Sequence, residues 1–110
     1  MTPKFKAFHD QYGWIKQEEI TVFGDGVYSV LIKNRTTRIF TGDPQLHLLR
    51  FTELTDKNGR EIYEGDIDSE GRTVEYHKGV AGLVREDGYV FGILLLYADK
   101  IEIVKSKYDV

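Results

Sequence analysis

Turn signals recur at short intervals along this chain, and their spacing constrains the fold more than any other feature. Gly24-Asp25-Gly26, Gly42-Asp43-Pro44, Asp56-Lys57-Asn58-Gly59, Ser69-Glu70-Gly71 and Asp87-Gly88 leave room only for short segments between them. Such punctuation marks short antiparallel strands in a small barrel or sandwich. The residues between the turns agree. Ile and Val number 9 each, and Ala occurs only 3 times. β-branched side chains fit a pleated, half-buried surface, and scarce Ala removes the best helix former. The sequence therefore predicts an all-β protein, a small antiparallel and partly open barrel of SH3-like type with at most one short helix. With 110 residues and no linker or internal repeat, residues 1–110 read as a single domain.

Several segments carry a sharper signal. Asp87-Gly88 reads as a type I′ turn joining Val80–Glu86 to Tyr89–Tyr97 as a hairpin, and Asn58-Gly59 is a similar signal between Leu54 and Ile62. Val74 and Tyr76 alternate with Glu75, and Ile101 and Ile103 with Glu102, as in half-buried strands. The run Ile93-Leu94-Leu95-Leu96-Tyr97 does not alternate. It reads either as a central strand covered on both faces or as one whose outer face meets a second copy of the chain, so a homo-oligomer through Ile93–Tyr97 is one of two equal readings. Gln45–Phe51 fits a strand or a short helical turn equally well, because periodicity cannot decide so short a run.

Charge and composition limit the chemistry. Net charge is -3. It is unevenly placed: residues 1–50 hold 7 Lys/Arg against 5 Asp/Glu, and residues 51–110 hold 8 against 13. A generic polyanion binder is excluded, although Lys33, Arg35, Arg38 and Arg50 offer a local basic stripe for phosphates. Zero cysteines exclude disulfides, thiolate metal sites and cysteine nucleophiles, and suit a reducing cytoplasm. No apolar run reaches the roughly 18 residues of a membrane span, and the N-terminal stretch has no signal-peptide core, so no membrane partner is expected.

Asp66-Ile67-Asp68-Ser69-Glu70-Gly71 copies the first half of a calcium loop, but its twelfth position falls on His77 instead of a bidentate Glu. His9, His47 and His77 lack metal-ligand spacing, and His77 reads as a strand-edge surface residue. Ser29, Ser69 and Ser106 sit in no nucleophile elbow. A metal-dependent hydrolase on Glu64, Asp66, Asp68 and Glu70 is the weakest option. Neither metal nor cofactor is expected, and catalysis is not.

The stretch Leu49-Arg50-Phe51-Thr52-Glu53-Leu54-Thr55-Asp56-Lys57-Asn58-Gly59-Arg60-Glu61-Ile62-Tyr63-Glu64-Gly65-Asp66-Ile67 closely resembles the hallmark of the YopX family, small proteins of bacteriophages and prophages. Lys4-Phe5-Lys6-Ala7-Phe8 and Tyr97–Val104 resemble the family's start and last strand. The resemblance implies an all-β fold and brings no catalytic or ligand residues. Three departures stand out. Glu53 occupies a position where the family usually has Gly, which disfavours a left-handed turn there. Asp68 replaces the usual Val, and Lys105–Val110 lacks the family's typical tail.

Read as physics, the hallmark is a bending device: Asp56-Lys57-Asn58-Gly59 forms a tight turn, and Glu64-Gly65-Asp66 turns the chain into the next strand. A partner-binding role for Tyr63, Glu64 and Asp66 is the competing reading. The function expected is that of a non-enzymatic phage accessory protein, cytoplasmic in its bacterial host, binding a host or phage protein. Tyr12, Trp14, Tyr28 and Tyr63 are candidate anchors. The alternative is a small-barrel nucleic-acid binder using Lys33, Arg35, Arg38 and Arg50, disfavoured by the acidic C-terminal half.

Overall fold

The computed structural model describes residues 4–16, 20–23, 27–31, 38–40 and 43–109. These are mostly strand, as the β-branched composition requires, with one α-helical turn. The chain forms two compact units, Met1–Arg50 and Phe51–Val110.

In the first unit, β1 (Phe5–His9) pairs antiparallel with β2 (Gly13–Ile15). Its other side pairs with the first half of β6 (Leu46–Thr55), Phe5 opposite Arg50 and His9 opposite Leu46. Gln45–Phe51 is therefore strand. Alternation in β1 places Phe5, Ala7 and His9 inward, and Ala7, Ile15 and Leu46 form the core with Tyr12, Ile20 and Leu48 against it. A second sheet orders β3 (Ile20–Phe23), β4 (Val27–Leu31) and β5 (Arg38–Phe40).

The second unit holds β7 (Glu61–Tyr63), β8 (Asp66–Asp68), β9 (Thr73–His77), β10 (Val80–Val84), β11 (Val90–Ile93) and β12 (Ile103–Ser106). The second half of β6 pairs with β7, and the other five form an antiparallel sheet in the order β11-β10-β9-β8-β12. That sheet ends in two edges and does not close on itself, which is the partly open small-barrel architecture expected. Its core comprises Ile62, Val74, Leu83, Leu94, Ala98, Ile101 and Ile103.

Turn chemistry differs from the expectation in an informative way. Only Gly88 of the Asp87-Gly88 pair has positive φ (86°). The Arg85 amide bonds the Tyr89 carbonyl, and the Gly88 amide bonds the Arg85 carbonyl. This is a three-residue loop, a type I turn followed by a left-handed glycine, not the two-residue type I′ turn. The same two-bond pattern closes the loops between β6 and β7 (Asp56 to Arg60) and between β8 and β9 (Asp68 to Arg72). The type I′ geometry occurs at Lys78-Gly79, where both residues have positive φ (52° and 81°) and His77 pairs with Val80. Lysine is not a usual residue there, so sequence gave no cue.

The expected strand over Ile93–Tyr97 is corrected. After Ile93 the chain makes one helical turn, α1 (Leu94–Tyr97), followed by a 3-10 turn over Ala98–Lys100. A Cβ on Gly92 would lie 2.5 Å from Tyr97 Cε2, so only glycine lets the Tyr97 ring fold back over β11. The turn sends Leu94 and Ala98 into the core and leaves Leu95 and Leu96 69% and 62% exposed.

Candidate functional site

The hallmark stretch resolves into a set of buried carboxylates that accept backbone N–H groups. Asp56, 5% exposed, accepts the Asn58 and Arg60 amides on Oδ1, both at 2.9 Å, and the Ile103 amide on Oδ2 at 2.8 Å. Burial raises its pKa, but the three amides and the nearby Arg60 charge together outweigh that and hold it below the usual carboxylate range. Asp68 repeats the device twelve residues on. Its Oδ1 accepts the Glu70 amide at 3.0 Å and the Arg72 amide at 2.9 Å, and its Oδ2 accepts Arg72 Nε at 2.7 Å. The Arg72 guanidinium lies 4.3 Å from the Phe91 ring centroid.

The segment leading into β12 ties both turns together. The Lys57 amide bonds the Ile101 carbonyl, and the Ser69 amide bonds the Glu102 carbonyl. Asp66, 2% exposed, accepts the Tyr63 amide at 2.8 Å and so closes the turn through Gly65. The Gly65 amide and carbonyl bond Val74 and Lys107 in turn. Satisfying so many buried donors at once is an architectural task.

Of the residues named from sequence, Tyr63 is buried against Phe51, with ring centroids 5.3 Å apart, and Glu64 is half-buried. Trp14 is 40% exposed and packs edge-on against Phe8, while Tyr12 lies half-buried on the first core. Lys33 and Arg35 lie outside the described residues, as does the Tyr28 side chain. Arg38 belongs to β5, and Arg50 is exposed at the end of the β1–β6 ladder. His77 is exposed at the end of β9. His9, buried, accepts the Gln11 amide on Nδ1 and has Nε2 3.3 Å from Asp43 Oδ2, whereas His47 Nε2 lies 2.9 Å from Asp10 Oδ1. The Gln45 amide, and His9 after it, hold the Asp43 carboxyl below its ordinary range against the opposing effect of burial. Among the described residues, no group of three His, Asp or Glu side chains is placed to hold a metal ion. Asp66 and Asp68 each serve a separate turn.

Sequence reasoning missed a groove of about 510 Å³ in the second unit, between the second half of β6 and the turns after β11. Leu54, Leu95, Leu96 and Ala98 supply apolar lining, and Glu53, Asp99 and Lys100 are charged residues that also line it. Its β6 wall is a bulge. Phe51 pairs with Tyr63 and Thr55 with Glu61, so Thr52–Leu54 face Ile62 alone. Thr52 Oγ1 pins the bulge, donating to the Ile62 carbonyl at 2.7 Å and accepting the Leu54 amide at 3.3 Å.

Glu53 sits at its crest with φ of 65°. The left-handed turn that a glutamate disfavours is thus formed all the same. The groove lies at the end of an uncharged run, Gly88–Ala98, in which Tyr89, Val90, Phe91, Ile93, Leu95 and Leu96 are all exposed.

Over residues 4–108 the chain matches the family described as YopX protein, and it belongs to that family. No curated protein matches it. Among the described residues, no helix is long and apolar enough to cross a membrane.

Proposed function

From its membership of the YopX family, we propose that this protein is a non-enzymatic binding module, encoded by a phage or prophage and acting in the cytoplasm of the bacterial host. It takes a short segment of a host or phage protein into the groove between β6 and α1. The observation that carries this reading is the exposure of Leu95 and Leu96, 69% and 62%, on a helical turn whose other residues serve the core. A chain that already buries Leu94 and Ala98 there gains nothing for its own fold from two more leucines in water. Apolar groups beside a concave, charge-rimmed surface are what a partner desolvates on binding.

The test uses the full chain as bait in an extract of the bacterium carrying the gene, with the double variant Leu95→Asp, Leu96→Asp and the control Val104→Asp. Val104 is also exposed, on β12. A specific protein is expected on the wild type and the control, and reduced at least about tenfold on the double variant. Identical proteins on all three baits would refute the reading.

A further inference from the structure

We infer that Glu53 is the specificity-determining residue of this groove, selecting partner segments that carry a lysine or arginine beside their apolar residues. The inference rests on the binding-module reading and adds the chemistry of the occupant. Its basis is a strained residue whose side chain returns nothing to the fold: the bulge uses a left-handed backbone at this position, and glycine would supply it without the cost. Glu53 holds φ of 65°, a conformation that a side chain bearing Cβ adopts at a cost and glycine adopts freely. Its side chain is exposed and makes no hydrogen bond or ion pair with any described residue. A glutamate kept where glycine would serve the bulge at lower cost, and making no polar contact of its own among the described residues, points to a role in recognition.

Charge identifies the occupant. Glu53 and Asp99 both line the groove, and the one cation there, Lys100, has its ammonium 5.9 Å from the Tyr97 ring centroid. The unit as a whole, residues 51–110, holds 8 Lys/Arg against 13 Asp/Glu. A basic segment is attracted to such a face and a phosphate backbone is repelled from it. A second copy meeting the groove through its own Gly88–Ala98 run would bring no cation to Glu53.

Fluorescence anisotropy with synthetic dodecapeptides tests this on the full chain at about 50 mM salt, where screening is modest. One series carries two leucines flanked by arginine; matched series replace arginine by glutamine or glutamate. The wild type is expected to bind the arginine series about fivefold more tightly than the glutamine series, as one partly exposed ion pair allows. Glu53→Gly is expected to abolish that preference while raising the thermal midpoint by about 2–6 °C through relief of the left-handed strain. Glu53→Lys should turn the preference toward the glutamate series, and Glu86→Gln, at an exposed acid away from the groove, should leave it intact.

Preferences that ignore Glu53→Gly and Glu53→Lys would overturn the role of Glu53. If the Leu95→Asp, Leu96→Asp variant still lost peptide binding in that case, the groove itself would stand. Peptide binding untouched by the double variant, or none at all to the wild type, would remove the groove reading and this inference with it. A dimer by light scattering that dissociates with Leu96→Asp and not with Glu53→Gly would make a second copy the occupant, and would equally overturn it.

Discussion

Asp56→Ala is expected to destabilise the second unit by about 3–5 kcal/mol, the largest effect of any single substitution considered for it. The truncation removes one acceptor from three backbone donors, the amides of Asn58, Arg60 and Ile103. Each such group left without a partner away from water costs about 1–3 kcal/mol. Two of the three lie within the turn and one 47 residues away, so the loss acts on both local and long-range structure. Asp56→Asn keeps one acceptor oxygen but turns an amide N–H₂ toward a backbone N–H, and recovers only part of the loss. Urea unfolding of the full chain, followed at the aromatic residues of the second unit, measures this. A change below about 1 kcal/mol would mean that the turn closes without its carboxylate.

Asp68→Ala is expected to cost about 3 kcal/mol by the same physics, with an added electrostatic part. The carboxylate, 1% exposed, satisfies two turn amides and pairs with Arg72 Nε at 2.7 Å. Its loss leaves a half-buried guanidinium with its contact to Phe91 alone and no counter-charge at Nε. Removing one partner of a buried pair is strongly destabilising, even where the pair contributes little net stability over an apolar replacement. Asp68→Ala combined with Arg72→Met separates the two parts. It should be less destabilised than Asp68→Ala alone, because no unpaired charge remains, although the turn amides are still unmet. Equal unfolding free energies for the single and double variants would show that the ion pair adds nothing.

These two aspartates show how far the sequence could be read. The turns themselves were visible, since Asn58-Gly59, Glu70-Gly71 and Asp87-Gly88 are local signals whose meaning depends on a few neighbouring residues. The bending role of the Thr55–Ile67 stretch followed from the same residues. What lay beyond local reading was the repetition of Asp-x-x-Gly-Arg at Asp56–Arg60 and Asp68–Arg72, which places identical carboxylate caps in two successive hairpins. The tie from residues 101–103 to both turns is set by tertiary packing, and no periodicity announces it.

The apolar run Ile93–Tyr97 was legible as unusual and misread in form. Five residues cannot distinguish a covered strand from a helical turn, and the deciding contact, Tyr97 folding over Gly92, is a matter of side-chain fit. The groove needed both that turn and the bulge at Thr52–Leu54. The bulge rests on Thr52 Oγ1 and on a left-handed glutamate, where local propensity alone argues for a regular strand. The two His–Asp pairs of the first unit, His9 with Asp43 and His47 with Asp10, are likewise 34 and 37 residues apart in sequence and carry no local signature.

The two buried aspartates of the hallmark, Asp56 and Asp66, hold backbone, and the recognition proposed above lies with the exposed residues of the groove. For Asp56 this has a definite sign in pH. A carboxyl held below its unfolded value, about 3.9 for aspartate, contributes stability that is fully present above that value and is lost as pH falls through the folded one. The most direct test is an NMR titration of the Asp56 carboxyl carbon in the folded full-length chain. It is expected to titrate below the ordinary aspartate range while the Ile103 amide stays bonded. Titration at or above that range would mean that the carboxylate is not committed to the three amides, and would contradict the claim that this stretch serves the fold.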